Sequence, residues 1–109
     1  ALGKPVIATA YSGNMDFMTD ENSLGVQYEL RAIHQDDHRY QPEFLDIYSD
    51  GHMWAEPSIN YAAKCLDAVV NSPDQYVKLG YQASHDIKQY YNPMSIGNRI
   101  KQHLSTRII

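Results

Sequence analysis

Four places in this 109-residue chain carry side chains able to hold or transform a ligand. The first is the turn Tyr11-Ser12-Gly13-Asn14, directly after the apolar run Pro5-Val6-Ile7-Ala8. Where a strand ends and a helix begins, backbone amides can hold phosphate oxygens, so Ser12, Gly13 and Asn14 form the candidate phosphate-binding site. The same residues have a plainer use, with Gly13 permitting a tight turn and Asn14 capping a short helix. The second place is His34, Asp36, Asp37 and His38. Two histidines four apart could share a helical face and bind a metal, but the flanking sequence is not helical and supplies no firm third ligand. A solvated charged loop and no metal are expected. The third is Trp54 with Glu56. An indole could stack on a sugar or nucleotide while a carboxylate holds a hydroxyl; the favoured expectation is structural, with Trp54 packing a loop onto the helices and Glu56 set in the field of a helix N-terminus. The fourth is Cys65, the single cysteine, whose neighbours Ala62, Ala63 and Leu66 point to a buried thiol acting as a small hydrophobe. No nucleophile triad, P-loop or acid and base pair is visible, so no catalytic residue is assigned. His85 and His103 lie on polar helix faces and are expected in solvent.

The elements that must position these groups read as an α/β chain. Lys4 to Thr9, with Val and Ile between Gly3 and the Ser12-Gly13-Asn14 cluster, has the character of a buried parallel strand. One helical turn is expected over Asn14 to Met18, broken by Asp20-Glu21-Asn22-Ser23. Leu24 to Leu30 predicts a second strand, with Leu24, Val26, Tyr28 and Leu30 on one side. The pattern then fails, and residues 31 to 57 read as a long connection pinned by Tyr40, Phe44, Tyr48 and Trp54. Three helices follow, over about 58–71, 73–91 and 93–106. Ser58 stands at the N-cap of the first, and Ser72-Pro73 and Asn92-Pro93 place a cap and a proline at the starts of the others. Their stripes are Ile59, Ala62, Ala63, Leu66, Val69 and Val70; then Tyr76, Val77, Gly80, Ala83, Ile87 and Tyr90; then Met94, Gly97, Ile100 and Leu104. Gly80 weakens the second helix by ~1 kcal/mol relative to Ala unless close packing requires it. Of the nine tyrosines, Tyr76 and the pair Tyr90-Tyr91 fall where helices would pack and read as amphipathic core edges.

Composition bounds the partners. The length suits one core, and 43% hydrophobic with 20% charged residues is ordinary for a folded domain. Nine Lys and Arg against thirteen Asp and Glu give a net charge of -4, which offers nucleic acid no general attraction. No apolar run approaches the ~20 residues that span a bilayer, and a lone cysteine fits a reducing, cytoplasmic setting. The opening Ala1-Leu2-Gly3 leads at once into the first strand, as though cut from a longer chain.

Four stretches carry a family resemblance: ALGKPVIAT followed by YSGNMDFM, then ENSLGVQYEL, then MWAEPSINYAAKCLDAV, then ASHDIKQYYNPMSIGNRIKQHL. Together they resemble the C-terminal domain of retaining GT-B glycosyltransferases of family 4, over nearly the whole chain apart from Ala32 to Tyr48. The resemblance implies a Rossmann-like C-terminal half-domain with two or three parallel strands and three C-terminal helices, a single partial domain over 1–109. It implies a nucleoside-diphosphate sugar as substrate rather than a cofactor, with a glycan or lipid-linked acceptor and a parent that sits peripherally at a membrane. The family's donor-site glutamates and its N-terminal acceptor domain would both precede Ala1. This segment is therefore expected to be inactive alone, because transfer needs donor and acceptor held together between two domains. Two other classes stay open: a non-catalytic interaction or regulatory module with the same fold, and a nucleotide-sugar epimerase.

Overall fold

The computed structural model describes residues 1–33 and 51–107. In chain order these form β1 (Ile7–Thr9), a 3-10 helix (Ser12–Asp16), β2 (Leu24–Val26), β3 (Tyr28–Ala32), β4 (Met53–Pro57), α1 (Ile59–Asn71), α2 (Pro73–Tyr90) and α3 (Pro93–Arg107). The architecture is mixed α/β, with three helices and two small sheets. The histidine and aspartate group at 34–38, and Tyr40, Phe44 and Tyr48, lie outside the described residues.

β1 and β2 pair in parallel, Ile7 opposite Leu24 and Thr9 opposite Val26. Hydrogen bonding begins before the strand proper, since Leu24 N–H donates to the Val6 carbonyl at 2.9 Å, and it ends with Ala10 N–H on the Val26 carbonyl at 3.0 Å. The expected strand from Lys4 is thus shortened to the stretch that has a partner.

The expected strand from Leu24 to Leu30 divides at Gln27, and the parallel pairing among the described residues is that of β1 with β2. Beyond the break β3 turns to pair antiparallel with β4, Tyr28 opposite Pro57 and Ala32 opposite Met53. Both ends of the predicted connection 31–57 are therefore ladder: β3 reaches Ala32, β4 occupies Met53–Pro57, and Ile33 N–H donates to the His52 carbonyl at 2.8 Å. Opposed residues of a ladder share a face, so Tyr28, Leu30 and Ala32 lie with Pro57, Ala55 and Met53 on an apolar side of this arm. Glu29, Arg31, Trp54 and Glu56 take the other side. The Gln27 carbonyl at the break accepts from Ser58 N–H at 2.8 Å, tying the sheet to the start of α1.

Helix starts follow local chemistry. The Ser58 hydroxyl accepts from Tyr61 N–H at 3.2 Å, and the Asn92 side-chain oxygen accepts from Ser95 N–H at 2.9 Å, each satisfying a donor that the helix cannot pair internally. Asn92 also donates to the Lys88 and Gln89 carbonyls at the end of α2, so one side chain joins two helices. Ser72 differs from expectation: its side chain makes no cap bond, and Pro73 alone marks the start of α2.

α1 packs on β1 and β2, α2 on α1, and α3 on α2. Met18, Val26, Ile33 and Cys65 are the buried apolar side chains among the described residues. Cys65 is buried as expected, with Ala62 and Val69 beside it on the half-buried side of α1. Much of the predicted apolar pattern faces outward instead. Ile59, Ala63, Leu66 and Val70 recur at helical spacing on one exposed stripe of α1, with Ile59 79% and Val70 74% accessible. Met94, Gly97, Ile100 and Leu104 do the same on α3. The cause is geometric: the short sheet of β1 and β2, together with α2, covers only one arc of α1, and α3 touches α2 through the half-buried Ser95 and Ile96 side.

Gly80 settles the condition attached to it. It is the buried residue of α2, and a Cβ there would fall 2.7 Å from the Gly3 carbonyl carbon and 2.8 Å from that of Lys4. Those are backbone atoms of the segment feeding β1, and they cannot rotate away. Gly80→Ala should therefore lower stability by about 1–3 kcal/mol in urea titrations despite its better helix propensity. A stabilised variant would mean that helix and strand do not approach this closely.

Candidate functional site

The turn after β1 is built from an exchange of hydrogen bonds rather than from a flexible glycine. Ser12, not Gly13, takes the left-handed conformation, with φ 67°. Gly13 has open space around it and an ordinary φ, so its conformational freedom is not what makes the bend. Asn14 is not a cap either. It sits inside the 3-10 helix Ser12–Asp16, with its amide donating back to the Thr9 carbonyl at 2.8 Å and to the Met18 sulfur at 3.2 Å. Tyr11 N–H donates to the same Thr9 carbonyl at 2.8 Å. Ser12 and Gly13 are exposed and Asn14 is half-buried, so the three candidate residues do stand together where β1 ends.

Beside them opens a cleft of about 340 Å³ lined by Thr9, Tyr11, Asn14, Met53, Trp54 and Ala55. The end of β1 and the turn supply one wall, and β4 supplies the other. Tyr11 is set by an edge-on contact with Tyr28 of β3, ring centroids 5.0 Å apart at 62°. Trp54 lies on β4 opposite Arg31, in a strand ladder rather than in the long connection expected there. Glu56 is likewise in β4, cross-strand from Glu29 and 3.8 Å from the Arg31 guanidinium. That exposed pair relieves the opposed carboxylates and adds little stability. β4 itself was missed in the sequence; the alternation of Met53, Ala55 and Pro57 with Trp54 and Glu56 after Gly51 was the available signal.

A second polar cluster braces the turn from behind. Asn22 is buried and fully engaged: its side-chain oxygen accepts from Thr19 N–H at 2.8 Å, and its amide donates to the Phe17 carbonyl at 3.0 Å and to Asp86 of α2 at 2.9 Å. Ser23, equally buried, donates to the Thr19 carbonyl. Tyr91, at the end of α2, donates its hydroxyl to the Asp16 carbonyl, meets Phe17 edge-on and lies under the Arg99 guanidinium at 5.4 Å. The turn is thus held to the helices from two sides. His85 and His103 are exposed, as expected. Among the described residues no group of three His, Cys, Asp or Glu converges on a point, and no helix is long and apolar enough to cross a membrane.

Comparison with family models, curated proteins and solved structures gives no match.

Two outcomes follow from the turn's chemistry. Asn14→Ala removes the amide that holds the Thr9 carbonyl and should cost about 1 kcal/mol in chemical denaturation. The Asp86 carboxyl is held below its ordinary pKa of 3.8, first by the Asn22 amide, with Gln82 and the charge of His85 assisting and desolvation opposing. Its contribution is therefore present above the ordinary carboxylate range and lost as pH falls through the depressed value. Thermal melts of Asp86→Asn should show a shallower acid limb than the parent; identical limbs would count against the Asn22–Asp86 bond.

Proposed function

We propose that this chain is the donor-side part of a retaining GT-B glycosyltransferase resembling family 4, a Rossmann-like unit that binds a nucleoside-diphosphate sugar for transfer to a glycan or lipid-linked acceptor. The observation that carries the reading is the parallel pair β1 and β2, with the Tyr11–Asn14 turn and an open cleft at the C-terminal end of β1. Open parallel sheets bind ligands at that edge, where side chains and backbone amides converge and no ladder continues. In this reading Ser12, Gly13 and Asn14 offer the turn's amides to the diphosphate, while Asn14 fixes the turn's shape through Thr9.

The outward apolar stripes of α1 and α3 add support. Contiguous exposed apolar surface marks faces that associate with something else. In a two-lobed enzyme those faces would be covered by the rest of the donor domain and by the N-terminal domain, the partner that the proposal requires. The segment alone would then bind without turning over.

Calorimetric titration of UDP, GDP and ADP into the protein joined to that N-terminal domain tests the reading. Saturable binding of one nucleotide with strong preference over the others is expected, together with release of that diphosphate when the matching sugar donor meets its acceptor. A protein that binds none of the three would sink the proposal and favour a non-catalytic module. Conversion of the donor sugar with no acceptor present would mark an epimerase.

A further inference from the structure

Among the described residues the arm of β3 and β4 is a two-stranded sheet, so each strand has one open edge, and the two edges differ in chemistry. The bonds that bracket the ladder fix which groups face outward. Ser58 N–H donates to the Gln27 carbonyl, and Ile33 N–H donates to the His52 carbonyl. In an antiparallel pair, hydrogen-bonded residue pairs of this kind alternate with pairs that turn their main-chain groups away. Glu29 and Arg31 therefore direct their N–H and C=O groups to β4, while Tyr28, Leu30 and Ala32 present theirs to the open edge of β3. On β4 the outward residues are Met53, Ala55 and Pro57, and the proline brings no N–H to pair. The β4 edge is thus blunted. The β3 edge has no such guard, and all five of its residues are exposed.

The charges on that edge complement themselves. Glu29 stands opposite Glu56, and the Arg31 guanidinium goes to Glu56 at 3.8 Å, so among the described residues Glu29 has no ion pair. We infer that the β3 edge pairs with the β3 edge of a second copy of this chain, antiparallel about a two-fold axis at Leu30, giving one four-stranded sheet. In this register Leu30 meets Leu30 and Tyr28 meets Ala32 as hydrogen-bonded pairs, about six main-chain bonds in all. Glu29 of each copy meets Arg31 of the other in the closer, non-hydrogen-bonded pairs. Charge decides the register. Moving the axis to residue 29 or 31 would set Glu29 on Glu29 or Arg31 on Arg31, and an in-register parallel pairing would do both. The apolar side of the arm, with Tyr28, Leu30 and Ala32, then runs unbroken across the axis. A two-stranded ribbon is marginal by itself, whereas four strands with one apolar face support one another. The contact is isologous, so it closes at two copies and leaves the blunted β4 edges outermost. It engages none of Ser12, Gly13 and Asn14 and stands apart from the donor reading.

Sedimentation equilibrium of this chain should show monomer passing to dimer with rising concentration, and nothing larger. Amide exchange on the same samples should slow at Tyr28, Leu30 and Ala32 by about tenfold between monomer and dimer, while Met53 and Ala55 stay fast. Arg31→Glu alone and Glu29→Arg alone should each remain monomeric, because each sets like charges opposite one another across the axis. An equimolar mixture of the two variants should dimerise, since every Glu then faces an Arg. The exchange pattern is read on the unaltered chain, so it decides the matter even where a variant does not fold. A chain that stays monomeric at millimolar concentration overturns the inference and leaves the edge to a strand from elsewhere. So do a dimer in which the Leu30 amide remains fast, growth beyond two copies, folded single variants that pair as the parent does, and a mixture of folded variants that stays monomeric.

Discussion

At Gly80, α2 meets the segment feeding β1 backbone to backbone, and the arrangement of the other elements depends on that contact. Gly80 lets the helix backbone come within contact of the Gly3 and Lys4 carbonyl groups, a distance that any side chain would enlarge. With α2 seated there, Asp86 reaches Asn22 on one side and Tyr91 reaches Asp16 on the other. Both bonds end on the stretch between β1 and β2, so a helix more than sixty residues away in sequence fixes the shape of the turn. Asn92 then passes the constraint to α3 by bonding both helices.

This division of labour explains why the turn combines exposure with rigidity. Buried Asn22 and Ser23 satisfy their polar groups inside the fold, and the backbone at Ser12 and Gly13 is left to solvent. A left-handed Ser12 is a mildly strained residue, and it persists because Thr9, Asn14 and Met18 determine the path on either side of it. Such over-determined bends are where protein chains place ligand contacts.

The helices were legible in the sequence because their signals are local. Ser58, Pro73 and Asn92-Pro93 announce the three starts within a residue or two, and α1, α2 and α3 begin at Ile59, Pro73 and Pro93. The arm was not legible, because β3 and β4 are joined by a charged stretch with no periodicity and a ladder is defined by a distant partner. Leu24, Val26, Tyr28 and Leu30 read as one strand with a single face. The Gln27 carbonyl instead pairs with Ser58, and that bond divides the segment into a parallel half and an antiparallel half. At the turn the residues were visible as a group, but their hydrogen bonds were not. Ser12, Gly13 and Asn14 were found from the turn cluster, but spacing alone could not reveal that Asn14 reaches back five positions to Thr9. Nor could it reveal that β4 stands across a cleft from the turn.

The seclusion of Cys65 gives the molecule an internal clock. The residue is 8% exposed, on the inward side of α1, the helix that packs on β1, β2 and α2, and no second cysteine competes for reagent. A disulfide reagent in solution reaches that sulfur when α1 lifts from this packing. The labelling rate under native conditions therefore counts the openings of this one layer, separately from any fraying of the arm or of α3.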